Sequence, residues 1–301
     1  MTEAFTLAHF SDVHLPPVFG AGWPYWNAKR MLGYLNWMRK RRRVHHGTIA
    51  DKLIADAKAL RPDHIAITGD LINLGLPQEY EAALAWLKKV GKPANVTVVP
   101  GNHDIYSSLH GDPGVARWAD YMGGEDDNLA FPFVRRVGPI ALVGLNSAVE
   151  TPPFYASGKL GRHQLEITGE LLDALGEEGA VRVVLIHHPP LPDLAPSRRA
   201  LSDAAHLAHL LERGNAELVL YGHNHRTRVD WLASRRGPIP VVGIGSASAA
   251  IAHGEEPTAN YNLFTFFKNE NGLRIRHIVR GIDGDVGTVK KISETVLNAP
   301  A

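Results

Sequence analysis

The 301-residue sequence contains no cysteine, so it can form neither disulfides nor thiolate metal sites. It also has no apolar run near the ~18 residues that a membrane-spanning helix requires. Its first residues lack the charged start and the long apolar core of a signal peptide. We therefore expect a cytosolic globular protein. Its sixteen histidines make imidazole the obvious metal donor.

Acidic residues are absent from Val13 to Ala50. Seven basic residues lie in that stretch: Lys29, Arg30, Arg39, Lys40, Arg41, Arg42 and Arg43. The whole chain has 32 basic and 31 acidic residues. The rest of the chain therefore has 25 basic against 31 acidic residues, a net charge of about −6. Such a local asymmetry predicts a surface that contacts anions.

Metal-ligating residue types occur at five separated places, each directly after a predicted strand. The five motifs read Asp12-Val13-His14, Gly69-Asp70, Gly101-Asn102-His103-Asp104, His187 and Gly222-His223-Asn224-His225. Open α/β sheets gather their sites at the carboxyl ends of strands, so these remote segments are expected to converge. The mixed nitrogen and oxygen donors suit Mn, Fe, Co, Zn or Ni rather than Mg or Ca.

The five motifs resemble the pattern of the calcineurin-like metallophosphoesterases, which is D-x-H, GD, GNH, H and GHxH. The resemblance implies an α/β (α+β) fold, a four-layer αββα sandwich of two mixed sheets flanked by helices. It implies two divalent transition-metal ions, Mn, Fe, Zn or Co. One ion would be held by Asp12, His14, Asp70 and His225, and the other by Asp70, Asn102, His187 and His223. It also implies that His103 contacts the substrate and protonates the leaving oxygen, with Asp104 orienting His103.

Residues beside the predicted ligands indicate which subclass of metallophosphoesterase the sequence resembles. Asn73 stands where purple acid phosphatases carry an iron-binding tyrosine, and Asp104 stands where serine/threonine phosphatases carry glutamate. The stretches 101–104 and 187–190 look instead like bacterial class III cyclic-nucleotide phosphodiesterases. We therefore expect hydrolysis of phosphodiesters such as cyclic nucleotides, by attack of a metal-bridging hydroxide.

One metallophosphoesterase domain is predicted over 1–280, with a basic aromatic insertion at 15–47 and a C-terminal tail at 281–301. Four apolar residues of the insertion share a helical face ahead of the basic run: Met31, Leu32, Leu35 and Met38. The insertion is either a surface helix packed on the domain or a peripheral membrane or lipid contact through 23–43, at the inner membrane surface. Nucleic-acid contact is less favoured, and the oligomeric state is open, a dimer included.

The insertion also suggests a different activity. Its Lys-Arg…Gly…Leu-Asn pattern is similar to that of bacterial enzymes that cleave the pyrophosphate bond of UDP-diacylglucosamine. In that alternative the chain is a pyrophosphohydrolase of a lipid-linked nucleotide sugar, and the insertion is a lid or membrane contact. A nuclease and a nonenzymatic scaffold are further alternatives, and the scaffold is disfavoured because no ligand of the pattern is missing.

Overall fold

The computed structural model describes residues 4–16, 22–109, 111–124, 129–214, 216–270, 272–282 and 287–297. Twelve strands lie in this part of the chain: β1 Phe5–Phe10, β2 His64–Ile67, β3 Val96–Val98, β4 Phe133–Val137, β5 Ile140–Gly144, β6 Val181–Leu185, β7 Leu218–Tyr221, β8 Arg228–Leu232, β9 Ile239–Gly243, β10 Asn260–Asn269, β11 Gly272–Ile282 and β12 Val289–Val296. The helices are α1 Ala28–Asn36, α2 Arg42–Val44, α3 Gly47–Ala59, α4 Pro77–Val90, α5 Arg162–Glu177 and α6 Ala204–Gly214. A π-helical turn, Trp37–Arg41, joins α1 to α2.

The strands form two mixed sheets of six. The first has the order β12-β11-β10-β1-β2-β3 and the second the order β4-β5-β6-β7-β9-β8. Strands β1, β2 and β3 run parallel to one another, as do β5, β6, β7 and β9. Each parallel set therefore ends at one edge of its sheet, where the loops that follow the strands come together.

Side chains of β5 show how the layers pack. Ile140 and Leu142 lie in the cluster that both sheets share, whereas Ala141 and Val143 lie in the cluster covered by α5 and α6. Because successive residues of a strand point to opposite faces, both faces of the second sheet are buried. Buried residues of α3 and α4 join the shared cluster from the first sheet. The predicted four-layer sandwich of two mixed sheets flanked by helices is confirmed.

The C-terminal segment differs from the expectation. Residues 281–301 were predicted to be a tail, but Val289–Val296 form β12, which pairs antiparallel with β11. Most of this strand is solvent-exposed, so it lacks the apolar alternation by which strands are recognised. Residues 283–286 and 298–301 lie outside the described chain. No helix among the described residues combines the length and apolar character needed to cross a bilayer.

Candidate metal centre

Seven polar side chains meet at the carboxyl ends of strands from both sheets. They follow β1, β2, β3, β6 and β7, and none is more than 8% exposed. Burying so many polar groups is costly unless each has a partner. The seven are the side chains that the sequence predicted as ligands: Asp12, His14, Asp70, Asn102, His187, His223 and His225.

The backbone is strained at most of these positions. Eight non-glycine residues of the described chain have positive φ, and five of them belong to the seven: Asp12, His14, Asp70, His223 and His225. Such conformations cost free energy and persist only where the surrounding structure enforces them. The tight turns after β1, β2 and β7 aim successive side chains into one small volume.

The first group of donors comprises Asp12, His14 and His225, whose ligand atoms lie within 4.8 Å of one another. His14 Nδ1 donates to the carbonyl of Ile72 at 3.1 Å, which leaves a lone pair on Nε2. That Nε2 lies 3.3 Å from His225 Nε2, and His225 Nε2 lies 3.1 Å from Asp12 Oδ1. His225 Nδ1 faces the carboxylate of Glu256 at 3.2 Å, an arrangement that orients metal-binding imidazoles.

The second group contains Asp70, His187 and His223, with Asn102 beside them. His187 Nδ1 donates to the carbonyl of Thr68 at 2.6 Å, so its Nε2 offers a lone pair. Around that Nε2 lie Asp70 Oδ2 at 3.4 Å, Asn102 Oδ1 at 3.2 Å and His223 Nδ1 at 3.3 Å. Acceptor atoms gathered this closely repel one another unless a proton or cation lies among them, so the residues fit a divalent metal.

Asp70 lies between the two groups. Its Oδ2 is 4.0 Å from His14 Nε2 in the first group and 3.4 Å from His187 Nε2 in the second. Its Oδ1 accepts the amide of His103 at 2.7 Å, which fixes the carboxylate. This is the position that the sequence predicted for a bridging ligand.

Two of these imidazoles have raised pKa values. Burial by itself would lower the pKa of His187, but the carboxylate of Asp70 outweighs it and raises that pKa to about 9. Burial is likewise outweighed at His225, where Asp12 raises the pKa to about 9. Protonated imidazoles thus balance the buried carboxylates, and a bound cation would replace those protons.

His103 lies at the edge of the two groups. Its Nδ1 donates to the carbonyl of Asn73 at 2.5 Å, and its ring stacks on Tyr106 with a centroid separation of 5.5 Å. Arg41 Nη1 lies 3.3 Å from the same Nδ1. Burial and the charge of Arg41 lower the pKa of His103 to about 3, so the ring is neutral in the free protein. It would become a proton donor only if an anion bound beside it and raised that pKa.

Asp104 differs from the expectation that it orients His103. One carboxylate oxygen accepts the amides of Asp70 and Gly101, each at 2.8 Å. The other accepts the amides of Leu71 at 2.9 Å and Ile72 at 3.3 Å. Asp104 therefore ties the loop after β2 to the loop after β3, and so positions Asp70 rather than the imidazole of His103.

Four residues near the centre were not predicted from the sequence. Arg41 contacts His103, and Glu256 contacts His225. Arg199 Nη2 donates to the carbonyl of His223 at 3.0 Å. His45 packs edge-on against His14 with a centroid separation of 4.8 Å. Arg41 and His45 belong to the basic insertion, whose sequence pattern does not show which of its residues reach the site.

Comparisons with known proteins agree with this geometry. A probable cyclic nucleotide phosphodiesterase of Rhodococcus erythropolis is 28% identical over 179 residues, which are 56% of this chain and 53% of that protein. The glycerophosphodiester phosphodiesterase GpdQ of Enterobacter lignolyticus is 29% identical over 180 residues, 55% of this chain and 56% of that protein. The match thus spans little more than half the length of these relatives.

A solved structure shares the fold. The dimetal phosphatase from Danio rerio superposes with a TM-score of 0.61 at 14% sequence identity, covering 96% of this chain and 98% of that chain. A model of the family described as calcineurin-like phosphoesterase matches residues 5–227, which include all seven buried donors. The chain therefore belongs to the calcineurin-like phosphoesterase family.

Proposed function

We propose that this chain is a dinuclear metal-dependent phosphodiesterase with cyclic nucleotides among its substrates. The observation that carries the proposal is a pair of buried donor groups with the carboxylate of Asp70 between them, and with Arg41 and His103 at their edge. Two divalent ions held there would lower the pKa of a bound water and polarise a phosphoryl oxygen.

The donor set supports the assignment of ligands to two metals. Asp12, His14, Asp70 and His225 would hold one ion, and Asp70, Asn102, His187 and His223 the other. Imidazole nitrogens mixed with carboxylate and amide oxygens favour Mn, Fe, Zn or Co. Only two of the seven donors are carboxylates, so the loaded centre keeps a positive charge that attracts a phosphate ester.

Arg41 and His103 would contact the phosphate and protonate the leaving oxygen, which the metal ligands cannot do. A guanidinium remains charged at neutral pH and presents a planar pair of N–H donors to phosphate oxygens. Arg41 would thus hold an equatorial oxygen of the phosphoryl group beside His103. The bound anion would raise the pKa of His103, whose Nε2 would then give a proton to the leaving oxygen.

The choice of a phosphodiester rests on the relatives. The two curated proteins described above are named as phosphodiesterases, one for cyclic nucleotides and one for glycerophosphodiesters. Asn73 and Asp104 support the same choice, since they depart from the purple acid and serine/threonine phosphatase patterns. The pyrophosphohydrolase alternative rests on a short pattern in the insertion alone and is less favoured.

A substrate panel tests the proposal. The Mn-loaded chain should hydrolyse cyclic AMP and bis(p-nitrophenyl) phosphate, each with a kcat/KM at least roughly tenfold above that for p-nitrophenyl phosphate or a nucleotide-sugar pyrophosphate. The reason is that the relatives described above are named as phosphodiesterases. His187→Ala, purified in the same way, controls for a contaminating phosphodiesterase. Preference for the monoester would refute the proposal, and preference for the pyrophosphate would favour the alternative.

A further inference from the structure

The insertion places an apolar helical face in solvent. Met31, Leu32, Leu35 and Met38 are between 38% and 48% exposed, and their spacing puts them on one side of α1 and the π-helical turn. This is the apolar face that the sequence predicted. A surface helix of a globular protein normally turns such a face towards the core, and here it does not.

The opposite side of the helix is firmly attached to the domain. The buried guanidinium of Arg30 donates to the carbonyls of Tyr25, Leu74, Gly75 and Ser107 at 2.8–3.1 Å. Trp37 packs in a small core with Leu74 and Leu76. A buried arginine with this many carbonyl partners fixes the rotation of α1 about its axis. The exposed face is thus held outwards by the structure.

Other exposed apolar side chains adjoin this helix. Lys29 Nζ lies 3.3 Å from Thr151 Oγ1, and Thr151 Oγ1 donates to the carbonyl of Tyr155 at 2.7 Å. Tyr155 and its neighbour Phe154 are 54% and 83% exposed. At the other end, the amide of Ala250 donates to the carbonyl of Val44, and the next residue, Ile251, is also exposed. Among the described residues, seven of the eleven large apolar side chains that are strongly exposed belong to this region.

The positive charge of the same surface favours a negatively charged partner. Arg39, Arg42 and Arg43 are exposed along the helical run, and the sequence has no acidic residue between Val13 and Ala50. Apolar side chains beside exposed arginines suit an interface that is apolar inside and negatively charged at its surface. We propose that the face formed by α1, the π-helical turn and α2 docks on a bilayer of anionic phospholipid.

Docking on this face would bring the bilayer to the entrance of the metal centre. Arg41, on the same helical run, contacts His103, and His45 directly after α2 packs against His14. The docked protein would therefore present its site to phosphodiesters that reside in, or are released at, the membrane surface. The docking surface itself does not require the proposed activity, so the two can fail separately.

Co-sedimentation with vesicles tests the docking. The full chain should sediment with vesicles of phosphatidylcholine and phosphatidylglycerol at 7:3, and much less with phosphatidylcholine alone. The double variant Arg42→Gln, Arg43→Gln should bind the anionic vesicles roughly tenfold or more weakly, since each basic residue near an anionic surface contributes a factor of about five. The matched control Arg235→Gln, Arg236→Gln removes two adjacent exposed arginines elsewhere and should bind like the parent chain.

The apolar contribution has its own pair of variants. Leu35→Ser with Met38→Ser should abolish most vesicle binding. Leu60→Ser with Ile292→Ser, at residues that lie elsewhere and are more exposed, should not. All four variants should keep the circular dichroism spectrum of the parent and its turnover of bis(p-nitrophenyl) phosphate. Failure of the full chain to bind anionic vesicles would overturn the proposal. A dimer that only the Leu35 and Met38 variant disrupts would also overturn it. Binding of an oligonucleotide in place of vesicles would do the same.

Discussion

Replacing Asp70 with alanine should lower kcat/KM for bis(p-nitrophenyl) phosphate by at least ~10³-fold in Mn-loaded protein. Asp70 is the carboxylate that lies within reach of His14 in one donor group and His187 in the other. Its loss removes the ligand that we propose both metals share, and metal ions contribute several kcal/mol to charge stabilisation in such reactions. The measurement is steady-state hydrolysis together with metal content by mass spectrometry.

The fold should survive this change. The backbone of Asp70 is held through its own amide by Asp104, a contact that the alanine variant keeps. Asp56→Ala is the matched control, because Asp56 pairs with Arg280 and Tyr261 away from the donor groups. That variant should lose stability and retain turnover per folded molecule. Near-parental turnover of the Asp70 variant, with two metals still bound, would refute the assigned centre.

Replacing His103 with glutamine should produce a loss that depends on the leaving group. A general acid contributes ~10²–10⁴-fold to a rate, and it matters most when the leaving oxygen is strongly basic. Hydrolysis of cyclic AMP, which expels a sugar alkoxide, should therefore fall by about 10²-fold or more. Hydrolysis of a p-nitrophenyl diester should fall much less, because nitrophenolate leaves without a proton.

The comparison of the two leaving groups separates proton donation from positioning. Glutamine is close to histidine in size and can still donate a hydrogen bond. The position of Arg41 beside residue 103 should therefore be largely kept. Equal losses on both substrates would mean that His103 only positions the phosphate. That result would contradict the proton-donor role while leaving the metal centre intact.

Much of the site could be predicted because its residues directly follow strands that the sequence pattern indicates. Asp12, Asp70 and His187 each follow a short apolar strand, and parallel strands bring such loops together whatever the intervening sequence. The ligand types themselves then define the chemistry. What the sequence could not show was the partner of each side chain across the fold, as Asp104 demonstrates. Its carboxylate binds backbone amides of its own and a distant loop rather than the neighbouring imidazole.

The insertion and the last strand show two further limits of sequence reasoning. Arg41 lies in a basic run whose pattern is typical of a solvated surface, and His45 lies just after it. Yet these two residues contact residues 62 and 31 positions away. Such contacts depend on how the helix packs on the domain, and hydrogen bonds from Arg30 to backbone carbonyls fix that packing. Because every residue has a backbone carbonyl, these partners leave no signal in the sequence. Strand β12 was missed because an exposed edge strand is held by backbone hydrogen bonds and needs no apolar alternation.

The most direct test of a dinuclear phosphodiesterase centre is a metal titration of the chelated, metal-free chain. Phosphodiester turnover and bound Mn²⁺ would be measured on the same samples as the ratio of metal to protein rises. The two donor groups predict no turnover without metal and a rise that saturates near two equivalents, with the Asp70 variant failing to reach it. Full turnover in verified metal-free protein, or saturation at one equivalent, would contradict the account.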